Sequence, residues 1–399
     1  MRYTLMNQEH EVLDFVFEAG SDAPEGVRAC EGIAWAPLEI PVDGRDPVPA
    51  LDRFLRRRAL CEWREDVPQL LRSIGAGSPV ELALLSGGFS LSDQYWYRRE
   101  GSSLTWKGSN FFDNDWDPEF GEAILMWDYD ALAHASSRTP DVTLGGLCRK
   151  AWVWTGLGLR LLKASPAGDE ANVHCEALVS RMLERLVGPS GHVPYEPMAF
   201  GGETYSSCPV MLGDNDELVS VAQLLEGSGV DPSLFNLRAE LGDHGRLIGI
   251  CQQAMDERGV MGHRQALAKL FVTAALTVDY DTHPSNFGLV RDLETHRLRP
   301  APLYDHGRGF LYMRDKLATV RKEPRVADLI LGLYFSRLDP TWDYSWYEPR
   351  SLDGFEDDLT ECLSAQESLP DGYAELMASL FVKQRAYVSR VAASSCGGA

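Results

Sequence analysis

No stretch of the 399 residues approaches the ~20 consecutive apolar residues needed to span a bilayer. No Cys-x-x-Cys pair occurs; the eight cysteines are scattered at positions 30, 61, 148, 175, 208, 251, 362 and 396. That dispersal argues against a clustered zinc site and against the disulfide framework of a small secreted domain. Free thiols in a reducing cytoplasm are the simpler reading. Positive charge is scarce too: 38 Lys and Arg stand against 59 Asp and Glu, a net of −21. Such a chain lacks the broad basic face that grips a nucleic-acid backbone or an anionic membrane. There is no internal repeat and no low-complexity tract. The N-terminus, MRYTLMNQEHEVLDF, is strand-like and charged, unlike a signal peptide.

What is present is a globular composition, 44% hydrophobic and 10% aromatic, long enough for two or three lobes. Residues 1 to about 50 alternate apolar and polar between Gly, Pro and Asp breaks, as short strands do. From Leu51 a helical spacing runs to Ile74, interrupted by Pro68. The aromatic-rich stretch from Gly88 to Leu125 reads as core and cap. AWVWTGLGLRLLKAS reads as two strands around a glycine turn, and NVHCEALVSRMLERLV as an amphipathic helix. HVPYEPMAF and YSSCPVML are strand candidates. The second half carries helix patterns in DELVSVAQLLEG, RLIGICQQAMDERG, HRQALAKLFVTAALTV and AELMASLFVKQRAYVSRV, with one hairpin in NFGLVRDLETHRLRPAPLYD. This order predicts an α+β chain of two lobes with a cleft: an N-terminal β-rich extension over 1–135, a β-rich lobe over 136–212 and a helical lobe over 213–399.

The chemistry concentrates in DYDTHPSNFG, residues 279–288, directly after an apolar helix pattern. Asp281 and Asn286 are five apart in a loop between a helix and a strand. Protein kinases use that separation in H-R-D-x-x-x-x-N, where the Asp orients the acceptor hydroxyl and the Asn holds Mg²⁺. Asp305-His306-Gly307, at the end of the hairpin, has the D-x-G form of the kinase metal motif. Mg²⁺ takes hard oxygen ligands, which a carboxylate and an amide oxygen supply. Lys163 ends an apolar strand, where a phosphate-contacting lysine would sit, and Glu176 lies thirteen residues on, where it could pair with that ammonium. Gly145 and Gly146 precede the strands and would let backbone N–H groups approach phosphate. Each feature has a bland alternative: a plain turn, a snorkelling lysine, a surface glutamate. The order of all six carries the reading. His174-Cys175-Glu176 has the H-x-E form of zinc deaminases, but the P-C-x-x-C partner is missing.

DYDTHPSNFGLV followed by LRPAPLYDHG resembles the HipA-like serine/threonine kinases, which carry N-x-D-x-H-x-x-N-F and then a segment like L-x-P-x-Y-D. SLSDQYWYR, LTWKGSNFFDND, TPDVTLGG, LLKAS and the Glu176 helix extend the resemblance to stand-alone HipA-domain proteins over most of the chain. It implies a protein-kinase-like two-lobed fold using ATP and Mg²⁺. Asp281 would be the catalytic base, Asn286 and Asp305 the metal ligands, and Lys163, paired with Glu176, the ATP-contacting lysine. Gly145 and Gly146 would lie in the phosphate loop. A protein or peptide acceptor is implied, with a small antitoxin-like partner by analogy and toxin-like autophosphorylation, for which Ser136, Ser137, Thr139 and Thr143 are the candidates. The alternatives are a kinase-fold phosphotransferase acting on a small molecule or peptide, or a nucleotide-binding pseudokinase. Two departures stand out. Asp279 replaces an Asn common in the family, and a second acid beside Asp281 is expected to raise its pKa by repulsion. LGGLCRK replaces the family's Ser-Gly-Ala-Gln pattern.

Overall fold

A computed structural model describes residues 1–21, 23–166, 169–231 and 244–396. The first sheet has strands β1 (Arg2–Asn7), β2 (His10–Val16), β3 (Glu25–Ala29) and β4 (Tyr95–Arg99) in the antiparallel order β3-β2-β1-β4. Its buried face, with Leu5, Leu13, Phe15 and Tyr97, packs on the helices Val48–Arg57 and Pro79–Ser86. Pro68 does not interrupt a helix. It sits in the first turn of a second one, Val67–Ile74, where a missing N–H costs nothing. The aromatic-rich stretch forms core, as expected: Phe89, Trp96, Phe111 and Trp116 cluster with Trp152 of the next sheet.

That next sheet holds β5 (Lys150–Thr155), β6 (Gly158–Lys163), β7 (Glu196–Phe200) and β8 (Glu203–Pro209) in the order β5-β6-β8-β7. The two-period of the strands divides its faces. Ala151, Val153, Leu162 and Tyr205 form a small core on one side. Lys150, Trp152, Leu161, Lys163, Ser206 and Cys208 line a cavity on the other. The helix Ala171–Val187 follows β6, and its buried side joins the large helical core built on His263–Thr277, Arg325–Phe335, Phe355–Ser364 and Tyr373–Cys396.

DELVS, expected to begin a helix, is instead strand β9 (Asp216–Ser220), and the helix starts only at Val221. Ser220 sets that boundary: it caps the helix reciprocally with Gln223. β9 pairs with β10 (Gly288–Asp292), which forms the expected hairpin with β11 (Leu298–Pro300). Long-range pairing here overrides a helical pattern of apolar residues.

The N-terminal unit is fastened to the helical lobe by buried charge. Arg291 on β10 pairs with Glu217 at 2.8 Å, and donates to Tyr95 Oη at 2.8 Å and to the Ala36 carbonyl at 3.1 Å. Arg57 bridges Glu39 (2.5 Å) and Glu226 (3.0 Å), and Gln223 donates to Glu39 at 3.1 Å. The unit therefore forms a strut from the cavity wall to the helical lobe. None of the described cysteines is in a disulfide, and no helix among the described residues is long and apolar enough to cross a membrane.

Candidate active site

Strand register creates the centre of the site. Lys163 faces Ser206 on β8 and Lys150 on β5. Beneath them lies Glu176, with a fully buried side chain on Ala171–Val187. Lys163 Nζ donates to Glu176 Oε1 at 2.6 Å, and Ser206 Oγ donates to Oε2 at 2.5 Å. Both oxygens of a carboxylate out of reach of water are thus satisfied, which such burial demands. Lys163 Nζ also donates to Asp305 Oδ1 at 2.7 Å.

Lys163 bridges the two acids, and their field holds its ammonium well above the ordinary lysine range against the cost of burial. Lys163 in turn holds the Asp305 carboxyl well below the usual range, aided by Lys150 and His306. Asp305 adopts a left-handed backbone, φ +59°, uncommon outside glycine, and its N–H is held by Tyr195 Oη at 3.3 Å.

Lys150 is a site residue that the sequence pattern does not single out, because LGGLCRK reads only as a departure from the family's loop. Two lysines opposite each other on neighbouring strands repel. Lys150 has no ion pair among the described residues, and burial lowers its pKa. The wall facing the cavity therefore carries two ammonium groups beside two acids, Glu176 and Asp305, and only Lys163 is bonded to them. A signal does exist in the sequence: Lys150 and Lys163 are the two ends of a hairpin closed by Gly156-Leu157.

The cavity has a volume of about 460 Å³ and is lined by Gly145, Gly146, Lys150, Lys163, Asn286 and Asp305, among others. Apolar walls come from Trp152, Leu161, Val193, Met211 and Leu212. Gly145 and Gly146 also answer local constraints: a Cβ at 145 would meet the Arg57 carbonyl at 2.9 Å, and Gly146 has φ +89°. Thr143 lines the cavity but is buried, its hydroxyl donating to the Pro140 carbonyl at 2.8 Å. Thr139 is buried as well and bonds Asp141, whereas Ser136 is exposed and Ser137 half-buried.

Asp281 does not line the cavity. It stands half-exposed outside it, and its carbonyl accepts from Asn286 Nδ2 at 3.1 Å. That bond leaves Asn286 Oδ1 without a hydrogen bond among the described residues. His283 braces the loop, with Nε2 3.3 Å from Asp281 Oδ1 and Nδ1 accepting the Ser285 N–H at 3.2 Å. Asp279 is buried. Its Oδ1 accepts the Asp281 N–H at 2.9 Å, and its Oδ2 lies 3.4 Å from His306 Nδ1. The second acid thus joins the 281 loop to the 305 turn.

A further clasp is not visible in the sequence. Asp169, buried before Ala171–Val187, accepts from Arg308 (2.5 Å) and Arg314 (2.7 Å). Asn172 donates to the Gly307 carbonyl at 2.5 Å. The segment after Asp305 is thereby tied to the helix that carries Glu176. Among the described residues no group of three His, Cys, Asp or Glu is placed to hold a metal ion, and Cys175 lies buried in the core.

No protein-family model matches the chain, and no curated protein matches it. Among solved structures, HipA of Shewanella oneidensis MR-1, determined with HipB and its operator DNA, aligns over 97% of both chains at TM-score 0.50 and 14% identity. The Helicobacter pylori proinflammatory kinase CtkA aligns over 62% of this chain and 94% of its own, at TM-score 0.41 and 10% identity. The fold is like that of this HipA structure, an α+β architecture of antiparallel sheets and a helical lobe.

Proposed function

We propose that this chain is an ATP-dependent protein serine/threonine kinase of the HipA-like type. The observation that carries the reading is Lys163 Nζ, 2.6 Å from Glu176 and 2.7 Å from Asp305, on the wall of a 460 Å³ cavity. A kinase needs its Lys–Glu pair and its D-x-G aspartate in place together, and here one ammonium touches both.

Lys163 and the unpaired Lys150 would bind the nucleotide phosphates, and Gly145 and Gly146 would border them. Trp152, Leu161 and Leu212 would bury the base. Asn286 Oδ1 and the free oxygen of Asp305 are hard donors facing one cavity, so they suit Mg²⁺. When bound, that ion would neutralise charge on the transferring phosphoryl group. Asp281, reachable from solvent, would orient and deprotonate the acceptor hydroxyl. Catalysis would rest on positioning and fixed charge.

Of the autophosphorylation candidates, Ser136 is exposed and Ser137 half-buried, whereas Thr139 and Thr143 are buried and hydrogen-bonded. A small antitoxin-like partner belongs to the same proposal, supported by the HipA–HipB assembly of the structural neighbour.

The test incubates γ-labelled ATP and Mg²⁺ with the protein beside Asp281→Asn. Label on the wild type alone is expected. Label on neither, with nucleotide bound, would make the chain a pseudokinase or a small-molecule kinase. No nucleotide binding at all would overturn the reading.

A further inference from the structure

The chain is acidic overall, yet the segment just after the Asp305 turn is not. Between Arg308 and Arg325 stand six Lys or Arg and only two acids, Asp315 and Glu323, in a chain of net charge −21. Arg308 and Arg314 are engaged by Asp169, and Arg321 donates to the Asp371 carbonyl. Lys316, Lys322 and Arg325 have no acidic partner among the described residues, and Lys322 and Arg325 are exposed.

This segment reaches Asp281 through aromatic contacts. Tyr280, 47% exposed, lies 5.3 Å from the Tyr312 ring, and Lys316 Nζ sits 4.5 Å over that same ring. Beside Asp281 stand a tyrosine pair and a lysine stacked on it, and along the chain from there the exposed Lys322 and Arg325 close Leu317–Lys322 and open Arg325–Phe335.

We propose that this track is the acceptor-docking surface, and that it selects a protein segment with acidic residues flanking the serine or threonine to be phosphorylated. The inference rests on the kinase reading and names the acceptor class for that site. Tyr280 and Tyr312 give an amphipathic platform for the peptide next to Asp281. Lys316, Lys322 and Arg325 meet its carboxylates, a complementarity that sets specificity more than raw affinity. Three free cations suit a short acidic stretch. A nucleic-acid footprint with about 6–10 phosphate contacts needs more.

The experiment uses the full chain and three labelled probes: a peptide with one serine flanked by glutamates, the same peptide with glutamines, and a single-stranded oligonucleotide. Binding is read by anisotropy and transfer by phosphopeptide formation. The glutamate peptide is expected to bind best, more weakly as salt rises. Lys322→Glu/Arg325→Glu is expected to raise its Kd and KM about tenfold, with kcat at saturation and nucleotide binding unchanged. Lys322→Gln/Arg325→Gln should fall between. Equal binding of the two peptides, an unchanged Kd in the charge-reversed variant, or tighter binding of the oligonucleotide would overturn the proposal. Charge-dependent peptide binding without any transfer would sustain the docking surface and overturn the kinase reading instead.

Discussion

The charged clusters around Arg291 and around Lys163 differ in what they leave over. Around Arg291, Glu217 and Tyr95 everything is closed: the Arg291 and Glu217 side chains are 3% and 2% exposed. Arg58 nearby is just as fully engaged, with five hydrogen bonds to Asp93, Tyr97 and the Gly88 and Tyr95 carbonyls. Around Lys163 one acid is sealed and the other is open, since the Asp305 side chain is 44% exposed. Titration follows the same division. Lys163 holds Asp305 well below the carboxylate range, so it stays charged; burial, against the pull of Arg291, pushes Glu217 up to about 7. A closed cluster fastens. An open one keeps a charge and a lone pair for something that arrives later.

The sharpest break is Asp281→Asn. Phosphoryl transfer should fall about 10³-fold or more, the scale of a lost general base, with nucleotide affinity and melting temperature unchanged. A large drop in melting temperature would count against an exposed catalytic side chain. Next comes the closed cluster. Arg291→Met should destabilise by about 3–5 kcal/mol in urea unfolding, because Glu217 is left buried and unpaired. Adding Glu217→Met should recover most of that loss, since a buried pair replaced by apolar groups is often neutral. The equivalent pair at the open cluster, Lys163→Met with Glu176→Met, should recover stability but not activity.

Asp141 offers a pH test. Burial raises its carboxyl to about 6 despite hydrogen bonds from Thr139 and the Trp152 N–H. The folded state then binds its proton more tightly than the unfolded chain does. Its stabilising contribution is full below about pH 4, the unfolded value, and is lost as pH rises through 6. Asp141→Asn should remove that slope and gain up to about 3 kcal/mol over wild type at pH 7. A difference independent of pH between 4 and 7 would refute it. Smaller still, Asp169→Ala should lower kcat about tenfold by loosening the helix that carries Glu176. Faster hydrogen exchange at the start of Ala171–Val187 would check this, and added acetate should partly restore the rate. Lys150→Gln should raise KM for ATP severalfold and leave kcat nearly intact.

The open cluster is more legible in the sequence than the closed one. Lys163, Glu176 and Asp305 are spaced as a lysine strand, a helix and a hairpin end would space them, and the structure brings them into contact. Lys163 and Asp305 are 142 residues apart, but each is marked by its own short motif, so their meeting can be expected from the order of the motifs. Lys150 escapes such a pattern because its meaning lies in strand register, which puts it opposite Lys163. Arg291–Glu217 and Asp169–Arg308 are 74 and 139 residues apart, and no local pattern joins them. DELVS reads as helix for a related reason: its partner strand is β10, far along the chain. Asp279 reads as a charge beside Asp281, whereas its oxygens hold a backbone N–H and face His306, an orientation that composition cannot convey.

The strut formed by the N-terminal unit has a kinetic consequence. Its Arg57 touches the glycine turn through its carbonyl and the helical lobe through Glu226. Rigid opening of one lobe from the other would have to tear these contacts. Under the proposed kinase function, nucleotide exchange would then fall to the short 144–149 segment, which carries Gly145 and Gly146. Product release, often the slow step in such enzymes, would then be timed by a few backbone angles at Gly145 and Gly146 rather than by a domain hinge.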